Sequence, residues 1–154
     1  MQRRKTIALA PEEQQRYLAE SHTVILTSID RRGYPHSVAM WYVAEPDGTV
    51  VMTTFAKSQK TVNLRRDPRC ALLLESGRTY PELKGLLIRG RATLVEDVEA
   101  VLDVLERVHA KYDTPGPAAG LRDVMRGQAQ KRVVVRVRPE RISSWDHAKL
   151  GGAY

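Results

Sequence analysis

The sequence contains a single cysteine in 154 residues, so it cannot form an internal disulfide and a cysteine-based metal site is excluded. Cys70 lies in the apolar run 70–74, which predicts a buried, unreactive thiol in a reducing compartment. No apolar stretch approaches the length that crosses a membrane, and no signal-peptide pattern follows the basic residues 1–5. We therefore expect a cytoplasmic protein that does not bind a membrane.

Aromatic residues and histidines are also few. The isolated histidines His22, His36 and His109 have no metal-ligand spacing, so we expect no metal site. The net charge of +7 and the pI near 9.8 favour anionic partners, which include nucleic acid, a phosphorylated cofactor and simple counterions. Phe55 is the only phenylalanine and the basic pairs are scattered, so we expect no nucleic-acid binding.

Hydrophobic residues make up 42% of the chain and charged residues 28%, which is typical of one folded domain. We expect that domain to span 1–154, with an N-terminal helical arm at 1–21. Gly90 predicts a bulge or bend within its strand. The alternation of apolar residues predicts a mainly β protein with helices (α+β), a small antiparallel barrel of about six strands. The predicted strands are 23–29, 37–45, 49–54, 69–75, 86–95 and 132–138 with an extension at 142–145, and the predicted helices are 11–20, 58–66, 97–112 and 121–130, with a connector at 114–117.

The most informative stretch is 53–68, where a β-branched strand leads into a polar helix that starts with Lys57, Ser58 and Lys60. The first amides of a helix lack partners, its dipole is positive there, and two ammonium groups add full charges. Ser58 fits the N-cap position. This pattern predicts a site for an anion; the alternative is a capped helix with two solvated surface lysines.

Two tryptophans are further candidates. Trp41 and Tyr42 are adjacent on a strand and so face opposite sides, one toward the core and one free to flank a flat ring; Trp41 as the core residue is the equal alternative. Trp145 precedes Asp146 and His147, which as neighbours on an extended chain point apart and cannot pair. A structural or pocket-wall role is therefore favoured for Trp145, as for Lys149.

Several short segments, in an order and spacing that are fairly specific together, resemble the split-barrel flavoproteins related to pyridoxamine-phosphate oxidase. They are Gly33-x-Pro35, Thr54-Phe-Ala-Lys-Ser-Gln-Lys60, Asn63-Leu-Arg-Arg-Asp-Pro68 and Gly90-x-Ala92. The segments Tyr80-Pro-Glu-Leu-Lys-Gly85 and Ser144-Trp-Asp-His-x-Lys-Leu150 are similar to the branch that binds the deazaflavin coenzyme F420.

The resemblance implies a six-stranded antiparallel split β-barrel of the flavin-binding type. It also implies a homodimer with two cofactor sites in the clefts between its subunits. The phosphate end of the cofactor is then expected at the start of the helix at 58–66. The cofactor-binding residues that follow from this comparison are Thr53, Thr54, Lys57, Ser58, Lys60 and Asn63, with Trp41 and Trp145 beside the ring.

One departure bears on the choice of cofactor. Family members that hold flavin mononucleotide (FMN) tightly usually carry an arginine and a lysine where this chain has Val38 and Val43. Each charge-assisted contact to a phosphate is worth about 1.5 to 3 kcal/mol, so the loss of two weakens FMN binding by on the order of a hundredfold or more. A basic groove suits the longer anionic tail of F420.

From the resemblance we expect an oxidoreductase that transfers a hydride from reduced F420 to an electron-poor small molecule such as an enone, a quinone or a tetrapyrrole. The alternatives are an FMN-dependent oxidase or reductase of the same fold, and a non-catalytic carrier of a flavin, deazaflavin or haem-like ligand. The sequence shows no obligatory catalytic acid, so the catalytic residues stay unknown at this stage.

Overall fold

Seven antiparallel strands form one curled sheet in the computed structural model, which describes residues 3–112 and 120–151. The predicted connector at 114–117 lies outside the described residues. The strands are β1 (Val24–Ile29), β2 (Pro35–Met40), β3 (Val43–Ala44), β4 (Val50–Phe55), β5 (Arg69–Ser76), β6 (Lys84–Val95) and β7 (Arg132–Asp146). The helices are α1 (Arg3–Thr6), α2 (Pro11–Glu20), α3 (Gln59–Arg66), α4 (Val98–Tyr112) and α5 (Leu121–Ala129).

The strand order β2-β1-β5-β6-β7-β4-β3 confirms the split-barrel architecture but corrects the strand count. The segment 37–45, which was predicted to be one strand, is two: β2 pairs with β1, and β3 pairs with β4. These two strands are the outermost of the sheet, and only Trp41 and Tyr42 separate them in the chain. The seventh strand is therefore the predicted second strand, broken where it passes from one end of the sheet to the other.

Tyr42 explains why the strand breaks at this point. Its side chain is fully buried inside the barrel, and its hydroxyl donates a hydrogen bond to the carbonyl of Leu18 in α2. Its backbone amide donates to the hydroxyl of Tyr112 at 3.1 Å, so that amide is used outside the sheet ladder. Strand propensity alone favours an uninterrupted strand here, because the competing partners lie in distant helices.

Gly90 marks the predicted bulge. The pairing of β6 with β7 shifts register between Arg89 and Gly90, and a Cβ atom at position 90 would lie 2.2 Å from the carbonyl oxygen of Arg138. Only glycine allows the two backbones to approach so closely. The bulge lets β7 run as one continuous strand, where the sequence predicted a kink between 138 and 142.

The apolar core has two parts. One fills the barrel, and the other lies between α4, α5 and the outer face of β3, β4 and β7. The apolar face of α4 belongs to the second part, through Val101, Leu102 and Leu105. Among the described residues no helix covers the outer face of β5 in the same way, so Leu73 is only half-buried.

The N-terminal arm begins with the short helix α1, and α2 follows with the predicted bounds 11–20. Leu18 of α2 joins the core of the barrel. Within the described residues, every helix is too short or too polar to cross a membrane.

Candidate functional site

Strand β4 leads into helix α3 through a tight turn. The amide of Ser58 donates to the carbonyl of Phe55 at 3.0 Å, and the amide of Ala56 donates to the carbonyl of Lys131 at 2.9 Å. Ser58 occupies the predicted N-cap position, with an extended backbone (φ −69°, ψ 154°). The turn therefore fixes the start of α3 against both β4 and the segment that enters β7.

A chain of hydroxyl groups lines this turn. The Ser58 hydroxyl lies 2.9 Å from the hydroxyl of Thr61 and 3.4 Å from that of Thr54, and the Thr61 hydroxyl donates to the carbonyl of Phe55. The Ser58 hydroxyl thus forms a hydrogen bond with the Thr61 side chain and does not cap a helix amide. Within the described chain, the amides of residues 59–61 have no acceptor, which is the arrangement that receives an anion at a helix start.

Both predicted lysines lie at this turn. Lys57 is exposed and Lys60 is half-buried, and neither has a carboxylate within 4.0 Å in the part of the chain that is described. Burial lowers the pKa of Lys60, and the nearby positive charge of Arg132 lowers it further. Two cations therefore approach one another here without an acidic side chain between them.

Arg132 is the residue that the sequence analysis missed. It opens β7 and pairs in register with Phe55, the last residue of β4, and its guanidinium carbon lies 4.4 Å from the centre of the Phe55 ring. Its Nε atom is enclosed and has no hydrogen-bond partner, and burial lowers its pKa. In the sequence Arg132 was one of several scattered basic residues, and only the pairing of β4 with β7 brings it to the turn. We call Thr54, Lys57, Ser58, Lys60 and Arg132 the cationic end.

Asn63 does not face the cationic end. Its side chain is fully buried, where its amide nitrogen donates to the Ser28 hydroxyl at 3.1 Å and its amide oxygen accepts from Gln59 at 2.8 Å. Val62 is 49% exposed, whereas Leu64 is buried. The inward face of α3 is thus formed by residues 61, 63 and 64, and in this chain Asn63 ties the helix to β1.

Trp41 lies on the outside of the barrel. It is 52% exposed and stacks on Tyr112, with ring centroids 4.5 Å apart and an interplanar angle of 8°. Because Tyr42 fills the core, the interpretation of Trp41 as a barrel-filling residue is wrong. If the register of β3 with β4 is continued by two residues, position 41 falls opposite the half-buried Thr53, next to the cationic end.

Trp145 lies at the other end of β7, thirteen residues after Arg132. It is half-buried, and its ring covers Gly85 so closely that a Cβ atom there would lie 2.0 Å from a ring carbon. Because β7 is an extended strand of 15 residues, Trp145 and the cationic end are far apart in one chain. A single protomer therefore does not bring together all the residues predicted for the site.

The residues around Trp145 are engaged with one another and with neighbouring segments. The Asp146 carboxylate lies 3.5 Å from the Lys84 ammonium, and a ring nitrogen of His147 lies 3.1 Å from the carbonyl of Tyr80. Asp146 and His147 do not pair, as predicted. Because each of these side chains has another partner, the two do not form a catalytic acid–base pair.

The same segment holds the N-terminal arm. The Lys149 ammonium lies 2.5 Å from the Glu13 carboxylate, and the Ser144 hydroxyl accepts a hydrogen bond from the amide of Leu9 at 3.0 Å. We call residues 144–149 the C-terminal clasp. Its contacts match the structural role that was predicted for Lys149.

Other parts of the molecule are less suited to an anion. A cavity of about 400 Å³ lies on the outer face of β1, β5 and β6, but two of its arginines are already paired, Arg69 with Asp67 and Arg91 with Glu140. Across residues 3–112 and 120–151, no three acidic, histidine or cysteine side chains converge as metal ligands would.

The cationic end fits a phosphate-bearing cofactor. It offers three unpaired amides, two lysines and the guanidinium of Arg132, whose Nε lacks a partner among the described residues, and all of these are donors. No acidic side chain competes for them among the described residues. This donor set matches a phosphate better than a metal ion or a neutral ligand.

Known proteins resemble this chain over most of its length. The family model described as pyridoxamine 5'-phosphate oxidase matches residues 10–146. An F420H2-dependent biliverdin reductase from Mycobacterium tuberculosis is 30% identical over 127 residues, which are 82% of this chain and 81% of that protein. The solved structure of a conserved hypothetical protein from Mycobacterium tuberculosis is 40% identical with a TM-score of 0.88, and covers 98% of this chain and 93% of its own. A solved F420 reductase has a TM-score of 0.69 over 87% of this chain and 98% of its own; at 24% identity it supports the fold alone.

Proposed function

This chain belongs to the pyridoxamine 5'-phosphate oxidase family, in the branch of the F420H2-dependent biliverdin reductase, and we propose that it transfers a hydride from reduced F420 to an electron-poor small molecule. When bound, the cofactor supplies the hydride, and a proton completes the two-electron reduction of the acceptor. Biliverdin, the acceptor in the name of the relative, is a tetrapyrrole, which supports that class among the enones, quinones and tetrapyrroles expected.

The observation that carries the proposal is the cationic end itself. Lys57 and Lys60 stand at the start of α3 without carboxylate partners among the described residues, beside three amides that also lack acceptors. Lys60 is half-buried, and a cation without an acceptor loses hydration there, a cost that a bound anion would remove. In the proposed complex the phosphate of the cofactor lies here and fixes its position along β4.

The positions of Val38 and Val43 favour F420 over FMN. Val43 is buried beneath α4 and belongs to the core between the sheet and the helices, and half-buried Val38 of β2 pairs with Leu26 of β1. Neither position supplies the positive charge that tight FMN binders have there. The cofactor is therefore expected to be held loosely and to exchange with solvent.

The ring of the cofactor would lie toward Trp41. Its indole is exposed, and its stacking on Tyr112 holds it in one orientation, so it offers a flat apolar surface next to Thr53. The role of the protein is to orient the ring against the acceptor and to exclude water. The cationic end contains no carboxylic acid or imidazole, so the proton comes from water or from the partner subunit.

A homodimer would unite the separated parts of the site. The outer face of the sheet carries half-buried apolar side chains that no helix covers, among them Ile25, Ala71, Leu73 and Leu87. A partner chain packed on this face could bring its own Trp145 to the cationic end of the first chain. The stoichiometry is measured by light scattering, and a monomer that binds cofactor fully would contradict this arrangement.

Titration of the purified protein with F420 and with FMN, followed by native mass spectrometry, tests the cofactor. Micromolar binding of FMN without binding of F420 would overturn the proposal and leave the FMN-dependent enzyme in its place. Reduced F420 is then offered with enones, quinones and tetrapyrroles, and its oxidation is followed by absorbance. Tight binding without hydride transfer to any acceptor would identify a carrier.

A further inference from the structure

We propose that Arg132 is the residue by which this chain recognises the phosphate of its cofactor, and that it takes the place of a charge missing from Val38 and Val43. The inference rests on the proposed function. It assigns to β7 a contact that the sequence pattern attributes to α3 alone. Arg132 would act as a binding and specificity residue, with no part in the hydride transfer.

The Phe55 ring holds the guanidinium in place. Arg132 and Phe55 are direct partners in the β4–β7 ladder, so their side chains lie on the same face of the sheet, 4.4 Å apart from guanidinium carbon to ring centre. Phe55 is 53% exposed, and its ring lies beside the guanidinium. This cation–π contact restricts the guanidinium and so lowers the entropy lost when it binds a ligand.

Arg132 has donors that nothing in the described chain uses. Its Nε is enclosed without a hydrogen-bond partner, and no described carboxylate lies within 4.0 Å of its guanidinium. Arg136, four residues further along β7 and on the same face, shows the contrast, because it lies 3.7 Å from the Glu45 carboxylate. The lack of a partner is therefore particular to the cationic end and does not extend along the strand.

Lys60 lies at the same turn, near the start of α3. Burial lowers its pKa and the charge of Arg132 lowers it further, so the two cations are close enough to repel one another. A phosphate between them would convert this repulsion into two charge-assisted contacts. One contact from Arg132 restores roughly ten- to a hundredfold of the affinity lost with the two missing charges.

The test compares cofactors with and without their phosphate. The variants are Arg132→Gln, Arg132→Lys and the control Arg138→Gln, which removes an exposed charge from the same strand. The ligands are F420, the deazaflavin alcohol that lacks phosphate and tail, FMN and riboflavin, titrated by fluorescence at two salt concentrations. We expect Arg132→Gln to bind F420 at least about tenfold more weakly and the alcohol within about twofold of the parent, with partial rescue by Arg132→Lys.

A second measurement needs no cofactor. The titration of Lys60, followed by nitrogen-detected NMR of its ammonium group, should move to higher pH in Arg132→Gln and stay unchanged in Arg138→Gln, because a neighbouring positive charge is removed only in the first. An unchanged Lys60 titration would overturn the proposed geometry.

The outcomes separate this inference from the proposed function. If Arg132→Gln lowers the affinity for F420 and for its phosphate-free alcohol equally, or lowers neither affinity, the inference fails. The proposed function stands in that case as long as F420 still serves as the hydride donor. If the parent binds no deazaflavin but prefers FMN to riboflavin, and Arg132→Gln abolishes that preference, the function fails and the role of Arg132 is supported.

Discussion

The two ends of β7 differ in how their polar groups are satisfied. At the C-terminal clasp, Asp146, His147 and Lys149 all have partners in the protein. At the cationic end, Lys60 and Arg132 have no acceptor among the described residues, although both are half-buried. At one end of β7 the polar groups are paired with other protein groups, and we call this network closed. At the other end the cations lack partners among the described residues, and we call this network open.

The difference indicates where to expect a ligand. Closed networks fix the chain, as the clasp fixes the N-terminal arm, and their loss is measured as lost stability. An open network has an unfavourable desolvation free energy that a ligand of opposite charge removes. Removing its residues is therefore measured as a loss of ligand affinity. The clasp contains the more suggestive sequence, Trp-Asp-His, yet the cations that lack partners among the described residues lie at the other end.

The largest expected effect tests the open end directly. Lys57→Ala combined with Lys60→Ala removes two charge-assisted contacts, so F420 affinity should fall on the order of a hundredfold or more while the melting temperature stays near that of the parent. Titration and thermal unfolding measure the two quantities. The matched control is Arg31→Ala with Arg32→Ala, which removes two exposed charges from the β1–β2 turn. If affinity in the lysine double variant equalled that of the parent, the phosphate would lie elsewhere.

Gly85→Ala tests the closed end. The added Cβ would lie 2.0 Å from the Trp145 ring and must displace it, which should lower the free energy of unfolding by about 1 to 3 kcal/mol. The ratio of affinities for F420 and its phosphate-free alcohol should not change, because the cationic end is intact. Gly127→Ala in α5 is the control: nothing lies within 4 Å of its Cβ position, so the same substitution should stabilise the helix slightly. A stability loss equal in both variants would contradict the packing argument.

Lys111 adds a third case to the comparison of the two ends of β7. Its ammonium group is enclosed and unpaired, although it lies outside the cationic end. Its ammonium nitrogen has no hydrogen-bond partner in the described chain, but it lies 3.7 Å from the centre of the Tyr42 ring, so an aromatic face replaces an anion. Burial lowers the pKa of Lys111 to about 8. Replacing Lys111 should therefore change the free energy of unfolding and leave the affinity for the cofactor unchanged.

Between about pH 8 and the ordinary lysine pKa of about 10.4, the unfolded chain binds more protons than the folded one at this position, so the Lys111 contribution to stability rises with pH. The Lys111→Met variant has no titrating group at this position, so its stability lacks this rise with pH. It should be more stable than the parent by about 1 kcal/mol near pH 7, after allowance for solvent screening, with a gap that narrows toward pH 10. Denaturant unfolding at several pH values measures the gap, and a gap independent of pH would refute the assignment.

The smallest effect concerns a surface pair of the clasp. Glu13→Gln and Lys149→Met, singly and together, should lower the melting temperature by no more than about 2 °C, because both groups reach solvent. The hydrogen bond from Lys149 and that from the Ala10 amide lower the pKa of Glu13. Its contribution is thus present above the ordinary glutamate pKa and is lost as the pH falls through the folded value. A double-mutant cycle should show coupling at pH 7 that weakens as the pH is lowered below the ordinary glutamate pKa.

Much of the fold follows from local pattern. The helix at 11–20 has its predicted bounds because a proline and two acidic residues mark its start, and the bulge at Gly90 follows from a glycine inside a strand. The break at Trp41 and Tyr42 does not follow, since its causes are a helix carbonyl and a tyrosine hydroxyl that are distant in sequence. Local propensity contains no information about such partners.

The candidate site divides in the same way. Lys57, Ser58 and Lys60 were found because a strand, a turn and a helix start are contiguous in the sequence. Arg132 was not found because it reaches the turn through strand pairing across more than seventy residues. Asn63 was expected at the cofactor only from the family resemblance, and in this chain its side chain is buried against β1.

The positions of the two tryptophans give the molecule two optical reporters. The chain has no others: Trp41 is exposed and stacked on Tyr112 just before β3, and Trp145 is packed on Gly85 in the clasp. Emission from the two indoles should therefore differ in wavelength and in access to a soluble quencher. With Trp41→Phe and Trp145→Phe, the segment between β2 and β3 and the clasp can be followed separately, without an attached dye.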